Sequence, residues 1–242
     1  MKKEILAVRR GKLFADGRTF RNFISKEDAK TIGLDRNFIL ANAEYLPKSE
    51  LENKPEYKQI IAYCVLLGDY GHVFSYQRGP REPRLKDKWS IGIGGHIYKM
   101  DDKWDMMKSN VIKRVNEEVD LGSRVMGLRH LGYINCEDSS VNKDHLAMLY
   151  LKDVYDVGNI KPQKETGKDL LHAEFRSQPE IEKIMEKHEF EEWSEIAYNV
   201  LLKEGKFKPK EFYKFTGFFL ISFLFLLCFY FLLNFAWMSH SC

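Results

Sequence analysis

The sequence is poor in cysteine, lacks a marked charge excess, and contains no internal repeat or low-complexity tract. Its four cysteines, Cys64, Cys136, Cys228 and Cys242, stand far apart, so none makes the short pair of a zinc or redox centre. A chain of 242 residues is large enough to build a core without cross-links, and a reducing compartment is the expectation. Cys242 is last rather than fourth from the end, which excludes a prenylation box. A net charge of +3 is too small to argue for nucleic acid as a partner, and none is expected. Met1-Lys2-Lys3-Glu4 lacks the apolar run of a secretory leader. What remains, 44% hydrophobic and 30% charged residues, is the composition of a globular domain.

One local absence is informative. From Thr216 to Met238 there is no charged residue, and Phe, Leu and Ile dominate. About twenty residues at about 1.5 Å each span a bilayer core of about 30 Å. The run is apolar on all sides, which favours a membrane span over a buried core helix. Lys203, Lys206, Lys208, Lys210 and Lys214 precede it, and lysines on that side place it in the cytoplasm. The expected organisation is a folded domain over 1–205, a basic linker over 206–215 and a transmembrane tail anchor over 216–238. The expected location is a membrane, with the N-terminal domain cytoplasmic.

Within the domain, Glu4 to Val8 reads as a strand, and Ser25 as the cap of a helix with Asp28 near its positive end. Gln59 to Leu67 is a nearly continuous apolar run and reads as a buried strand, with His72 to Gln77 as its hairpin partner. Trp89 to Ile93 is a short strand that should stop at Gly94-Gly95. Arg129 to Ile134 and His145 to Leu151 are further strands. Trp104, Met107, Val111, Val115 and Val119 recur at three- and four-residue steps, the stripe of a helix over about 104–119. Two more helices are expected near Pro179 to Lys187 and Phe190 to Lys203. Such an order predicts a mixed sheet with helices on its faces.

On the central helix the stripe leaves Lys113, Arg114, Glu117 and Glu118 on the other side. Spacing alone allows two weak surface pairs, Lys113 with Glu117 and Arg114 with Glu118. Upstream, Gly92, Gly94 and Gly95 permit close backbone approach, and Arg78, Arg81, Arg84, Lys86 and Lys88 crowd one loop. Paired carboxylates with backbone carbonyls suit Mg²⁺, and nearby cations suit phosphate oxygens. His96 and His145 are candidates for touching phosphate or for structural hydrogen bonds. Trp89 and Tyr98 are candidates for stacking on a base or for core packing.

At these residues the sequence resembles the Nudix hydrolases, in a MutT-like subgroup of predicted phosphoesterases. The family signature runs Gly, five residues, Glu, seven residues, then Arg-Glu-hydrophobic-x-Glu-Glu-x-Gly-hydrophobic. Here Lys113-Arg114-Val115-Asn116-Glu117-Glu118-Val119-Asp120-Leu121 keeps the Glu-Glu pair and both hydrophobic positions. Asp105 falls at the earlier Glu, as a ligand or as an early-turn acid favoured by the helix dipole, and Gly95 at the opening glycine if the loop is longer. Further likeness lies in Ser90-Ile91-Gly92-Ile93-Gly94-Gly95-His96, His145-Leu146 and Glu192-Trp193-Ser194. Three positions depart: Lys113 for Arg, Arg114 for Glu and Asp120 for Gly.

The resemblance implies an α/β/α sandwich with a mixed β-sheet over about residues 4–202. It implies hydrolysis of a diphosphate linkage in a nucleoside diphosphate derivative, with Mg²⁺ or Mn²⁺, and it allows a homodimer. Glu117, Glu118 and Asp105 would be catalytic. Arg78, Arg84, Gly94 and His96 would bind substrate. Glu117, Glu118, the Gly95 carbonyl and Glu165 would hold the metal, with Glu174 as the next candidate after Glu165. Arg114 favours an alternative, a Nudix-fold module that binds phosphate compounds at the membrane without turnover. A membrane-anchored protein adaptor is a third reading.

Overall fold

Side chains alternate across a long apolar strand, and that alternation places a helical layer on each face of the sheet. In the computed structural model the described residues are 3–52, 54–99, 105–122, 125–138, 142–164 and 167–208. The first part contains β1 (Glu4–Arg9), α1 (Arg10–Leu13), β2 (Asn22–Ser25), α2 (Lys26–Thr31), α3 (Arg36–Ala41), β3 (Ala43–Pro47) and α4 (Lys48–Leu51). The middle contains β4 (Tyr57–Leu67), β5 (Val73–Arg78), β6 (Trp89–Ser90), β7 (Gly92–His96), α5 (Met106–Glu118) and β8 (Val119–Asp120). The last part contains β9 (Val125–Asn135), β10 (His145–Val154), β11 (Lys161–Pro162), β12 (Leu170–Arg176), α6 (Gln178–Met185) and α7 (Glu192–Lys203).

Among the described residues, ten strands form one mixed sheet, and β8 pairs with β11 apart from it. β4 and β10 run parallel at its centre, and β9 follows β10 antiparallel. Ile60, Ala62, Cys64 and Leu66 of β4 face one core with Met107, Val111 and Val115 of α5. Ile61, Tyr63, Val65 and Leu67 face the other core with Trp193, Ala197 and Leu201 of α7. Both faces are covered, so β4 has no polar side and reads as a continuous apolar run. The result is the expected α/β/α arrangement.

Two details differ from the sequence reading. The hairpin partner β5 meets β4 only at Leu67 and Val73, then turns to pair with β6 and β12. Its place beside β4 is taken by β7, in register from Ile61 with His96 to Val65 with Gly92. The strand therefore does not stop at Gly94-Gly95. Both glycines take part in the pairing, because a neighbour strand satisfies their backbone groups and outweighs low strand propensity. Gly92 is required there for space, since a Cβ would lie 2.2 Å from the Tyr63 ring.

Cys64 and Cys136 are buried free thiols, and burial pushes both up to about 12, so neither is a ready nucleophile or metal ligand. Among the described residues no helix is long and apolar enough to cross a membrane. The expected anchor, 216–238, lies outside those residues, as do Trp104 and Glu165.

Candidate functional site

The site is built from the C-terminal end of α5. Asp105 caps the other end: its side chain accepts from the Lys108 backbone N–H at 3.1 Å and pairs with Arg36 at 2.8 Å. An oxygen acceptor there satisfies a backbone donor that no earlier turn can reach. Asp105 does not line the pocket, so the structure makes it a helix cap rather than a member of the site. Met107, Val111 and Val115 then bury the helix against the sheet.

Glu118 lies three residues beyond Val115 and seven beyond Val111, at the margin of that buried stripe. It is only 2% exposed, so its pairing with Arg114 is buried rather than the weak surface pair that spacing alone allows. The helix ends there because Val119 turns extended into β8, and Gln163 N–H caps the Glu118 carbonyl at 2.9 Å.

A buried carboxylate needs cations or donors around it. Glu118 Oε1 meets Arg114 Nη2 at 2.6 Å and Arg81 Nη1 at 2.8 Å. The Arg114 Nε–H donates to the Gly94 carbonyl at 3.0 Å, and its Nη1 lies 3.6 Å from Glu117. Arg81 is held in turn by Asp169, which accepts from its backbone N–H at 2.9 Å. The stem of Arg114 lies against Gly95, where a Cβ would come within 2.7 Å of Arg114 Cγ. Glu118 Oε2 is buried and has no hydrogen bond among the described residues.

A second buried network stands behind this one. Glu191, 3% exposed, accepts from Ser90 Oγ at 2.7 Å, Arg78 at 3.1 Å and the Tyr63 hydroxyl at 3.2 Å. Ser194 Oγ lies 2.7 Å from the Tyr63 hydroxyl and accepts from the Ile91 N–H at 3.0 Å. Burial, reinforced by the Glu191 charge, raises the Tyr63 hydroxyl well above its ordinary value. For Arg78, burial opposes the charge, but Glu191 outweighs it and the guanidinium is held more firmly protonated. Arg78 thus spends its guanidinium on positioning β5 and β6 against α7. Neither Glu191 nor Asp169 belonged to any motif; their partners are distant in sequence and only the fold shows them.

Tyr63, Arg78, Arg81, Arg114, Glu118 and Glu191 line a pocket of about 1550 Å³ among residues of β4, β5, β7, α5 and α7, with Ser90 and Ser194 behind its wall. Glu117, Glu118, Arg78, Arg84, Gly94, Gly95 and His96 are all brought to it. Arg84 is over half exposed and pairs with Glu82 at 2.8 Å. His96 bonds Gln59 at 2.9 Å, and its ring lies tilted against that of His145, 5.9 Å between centroids. Burial first, then His145, Lys48 and Arg114, lowers it to about 3, so it is a neutral ring rather than a cation for phosphate. Tyr98 lines the pocket, whereas Trp89 is buried under Arg176. Glu174 pairs with Arg176 away from the pocket.

Eight Lys or Arg and eight Asp or Glu line the pocket among the described residues, so it carries no net field and anion affinity depends on local placement. Among the described residues no group of three or more His, Cys, Asp or Glu is gathered for a metal. The donors nonetheless fit a cation. The Arg114 guanidinium is one, and it is bound by the Gly94 carbonyl and Glu118 together, with Glu118 Oε2 still without a donor. The carbonyl aimed at this point is that of Gly94, and Gly95 supplies the space beside it.

No protein-family model matches the chain. It is 27% identical to Protein YmaB of Bacillus subtilis (strain 168) over 211 residues, covering 83% of this chain and 98% of the relative. Its fold matches the crystal structure of Tm1382, a candidate Nudix hydrolase, with a TM-score of 0.66 and 28% identity. That match covers 84% of this chain and 100% of Tm1382.

Proposed function

Because this chain is a Nudix-fold protein, we propose that it is a hydrolase that cleaves a diphosphate linkage in a nucleoside diphosphate derivative. The observation that carries the reading is the convergence of Glu118, the Gly94 carbonyl and Arg81 on one point of the pocket wall. Glu117 and Glu118, with the Gly94 carbonyl, would hold Mg²⁺ or Mn²⁺. When bound, such an ion neutralises diphosphate charge and lowers the pKa of water.

The chain's own groups supply the rest. Arg81 sits on Glu118 with half of its side chain exposed, and Arg84 is exposed on the same loop; both would meet phosphate oxygens. Gly95 leaves room for the stem of Arg114 beside the Gly94 carbonyl. His96 is neutral and offers a hydrogen bond, not a charge. The Tyr63, Ser90, Glu191 and Ser194 network fixes the wall of the pocket without touching solvent.

Arg114 supports a second reading. It stands where the signature has an acid, so a proton acceptor of that position is replaced by a cation, and a module that binds without turnover fits the same geometry. A panel of nucleoside diphosphate derivatives assayed on the full chain with Mg²⁺ and Mn²⁺ separates the two. Turnover that disappears in Glu118→Gln and persists in Glu186→Gln, an exposed residue of the α6 terminus, supports the enzyme. Nucleotide binding without turnover on any substrate selects the module.

A further inference from the structure

We propose that Arg114 is a resident cation that closes the metal site, and that the diphosphate of the ligand opens it by drawing the guanidinium away. This rests on the diphosphate reading above. The divalent ion and the diphosphate then assist each other's binding, because each relieves what opposes the other.

The geometry gives the closed state directly. Arg114 uses Nε on the Gly94 carbonyl and Nη2 on Glu118 Oε1, so the two donors a metal would need are both taken by one side chain. Its stem lies in the slot that Gly95 leaves by having no Cβ. Much of the local acid charge is already met: Arg114 pairs with Glu117 and Glu118, and Arg81 with Glu118 and Asp169. A divalent ion entering this group meets Arg114 within a few ångströms, where like charges repel strongly in a partly buried site.

An open state is reachable without stranding a charge. Glu118 keeps Arg81 when Arg114 leaves. The Arg114 side chain is 33% exposed, and Glu117, 3.6 Å from Nη1 and 44% exposed, marks the way outward. A planar guanidinium released there matches phosphate oxygens in a two-pronged geometry that the lysine at 113 cannot make. A diphosphate therefore rewards the movement that frees Glu118 and Gly94.

The test measures two ligands whose responses have opposite signs. Mn²⁺ alone and ADP in EDTA are each titrated into the full chain in nonionic detergent, for wild type, Arg114→Ala and Arg114→Gln. Lys183→Ala, on the exposed face of α6, is the control. Both Arg114 variants should bind Mn²⁺ roughly tenfold tighter than wild type and ADP roughly tenfold weaker. General damage to the fold lowers both affinities and is seen separately in the melting temperature. Mn²⁺ binding to wild type as tight as to the variants overturns the closed site while leaving the metal reading intact. ADP binding unchanged in both variants overturns the handover to phosphate. If neither ligand binds any of the proteins, the diphosphate reading falls and this inference with it.

Discussion

At the scale of single residues, the pocket wall depends on hydroxyls that have no access to water. Ser194 Oγ serves the Ile91 N–H and the Tyr63 hydroxyl at once, and all three groups are buried. Ser194→Ala leaves a buried backbone donor without a partner, which costs about 1–3 kcal/mol. Denaturant unfolding measures this; a loss within about 0.5 kcal/mol, the range of an ordinary surface change, would refute the role given to the hydroxyl. The histidines set a pH dependence. Burial holds His96 neutral down to about 3 and His130 down to about 4, against 6.5 for a free imidazole. Between those limits the unfolded chain binds more protons than the folded one, so stability falls as pH drops below 6.5. The melting temperature should therefore decrease between pH 7 and pH 5, and by less in His96→Asn than in wild type. Equal decreases in the two proteins would contradict this account of His96.

At the scale of elements, α5 is held by its stripe and oriented by its caps. Met107 is fully buried against the sheet while Ile112, on the same helix, is 40% exposed. Met107→Ala removes packed volume and is expected to cost about 2–5 kcal/mol. Ile112→Ala is expected to change stability by no more than about 0.5 kcal/mol. Comparable losses in the two variants, read from chemical denaturation, would mean that the helix packs on a different face. Much of α5 was legible because hydrophobic spacing at 3.6 residues reports the buried face directly. Glu118 sits at the stripe's edge, where spacing cannot tell a solvated glutamate from one covered by Arg114 and by Arg81 of a distant loop. β2 and β3 had too few residues to show a period, and β12 is exposed or half-buried over most of its length, so it carries no apolar alternation.

At the scale of the whole molecule, two cores on opposite faces of one sheet hold the pocket between the diverging strands β5 and β7. We also propose that residues 216–238 anchor this domain to a membrane, on the strength of their length and lack of charge. Full-length protein should stay with the membrane fraction after carbonate washing, and a chain ending at residue 210 should not. Release of the full-length protein by carbonate would reject the anchor.

The order of the central strands and helices, the buried faces of β4 and α5, and the acids and glycines that share the pocket followed from the sequence by itself. Each is a local property, carried by the period of apolar residues or by adjacent acids and glycines. The tertiary structure alone decided that Asp105 is a cap, that Arg78 serves Glu191, and that His96 is neutral. It also decided that Arg114 and Arg81 converge on Glu118. Those outcomes depend on which charges meet across long stretches of chain and on how far water is excluded around them. Neither quantity has a period or a spacing, so neither can be read along the sequence.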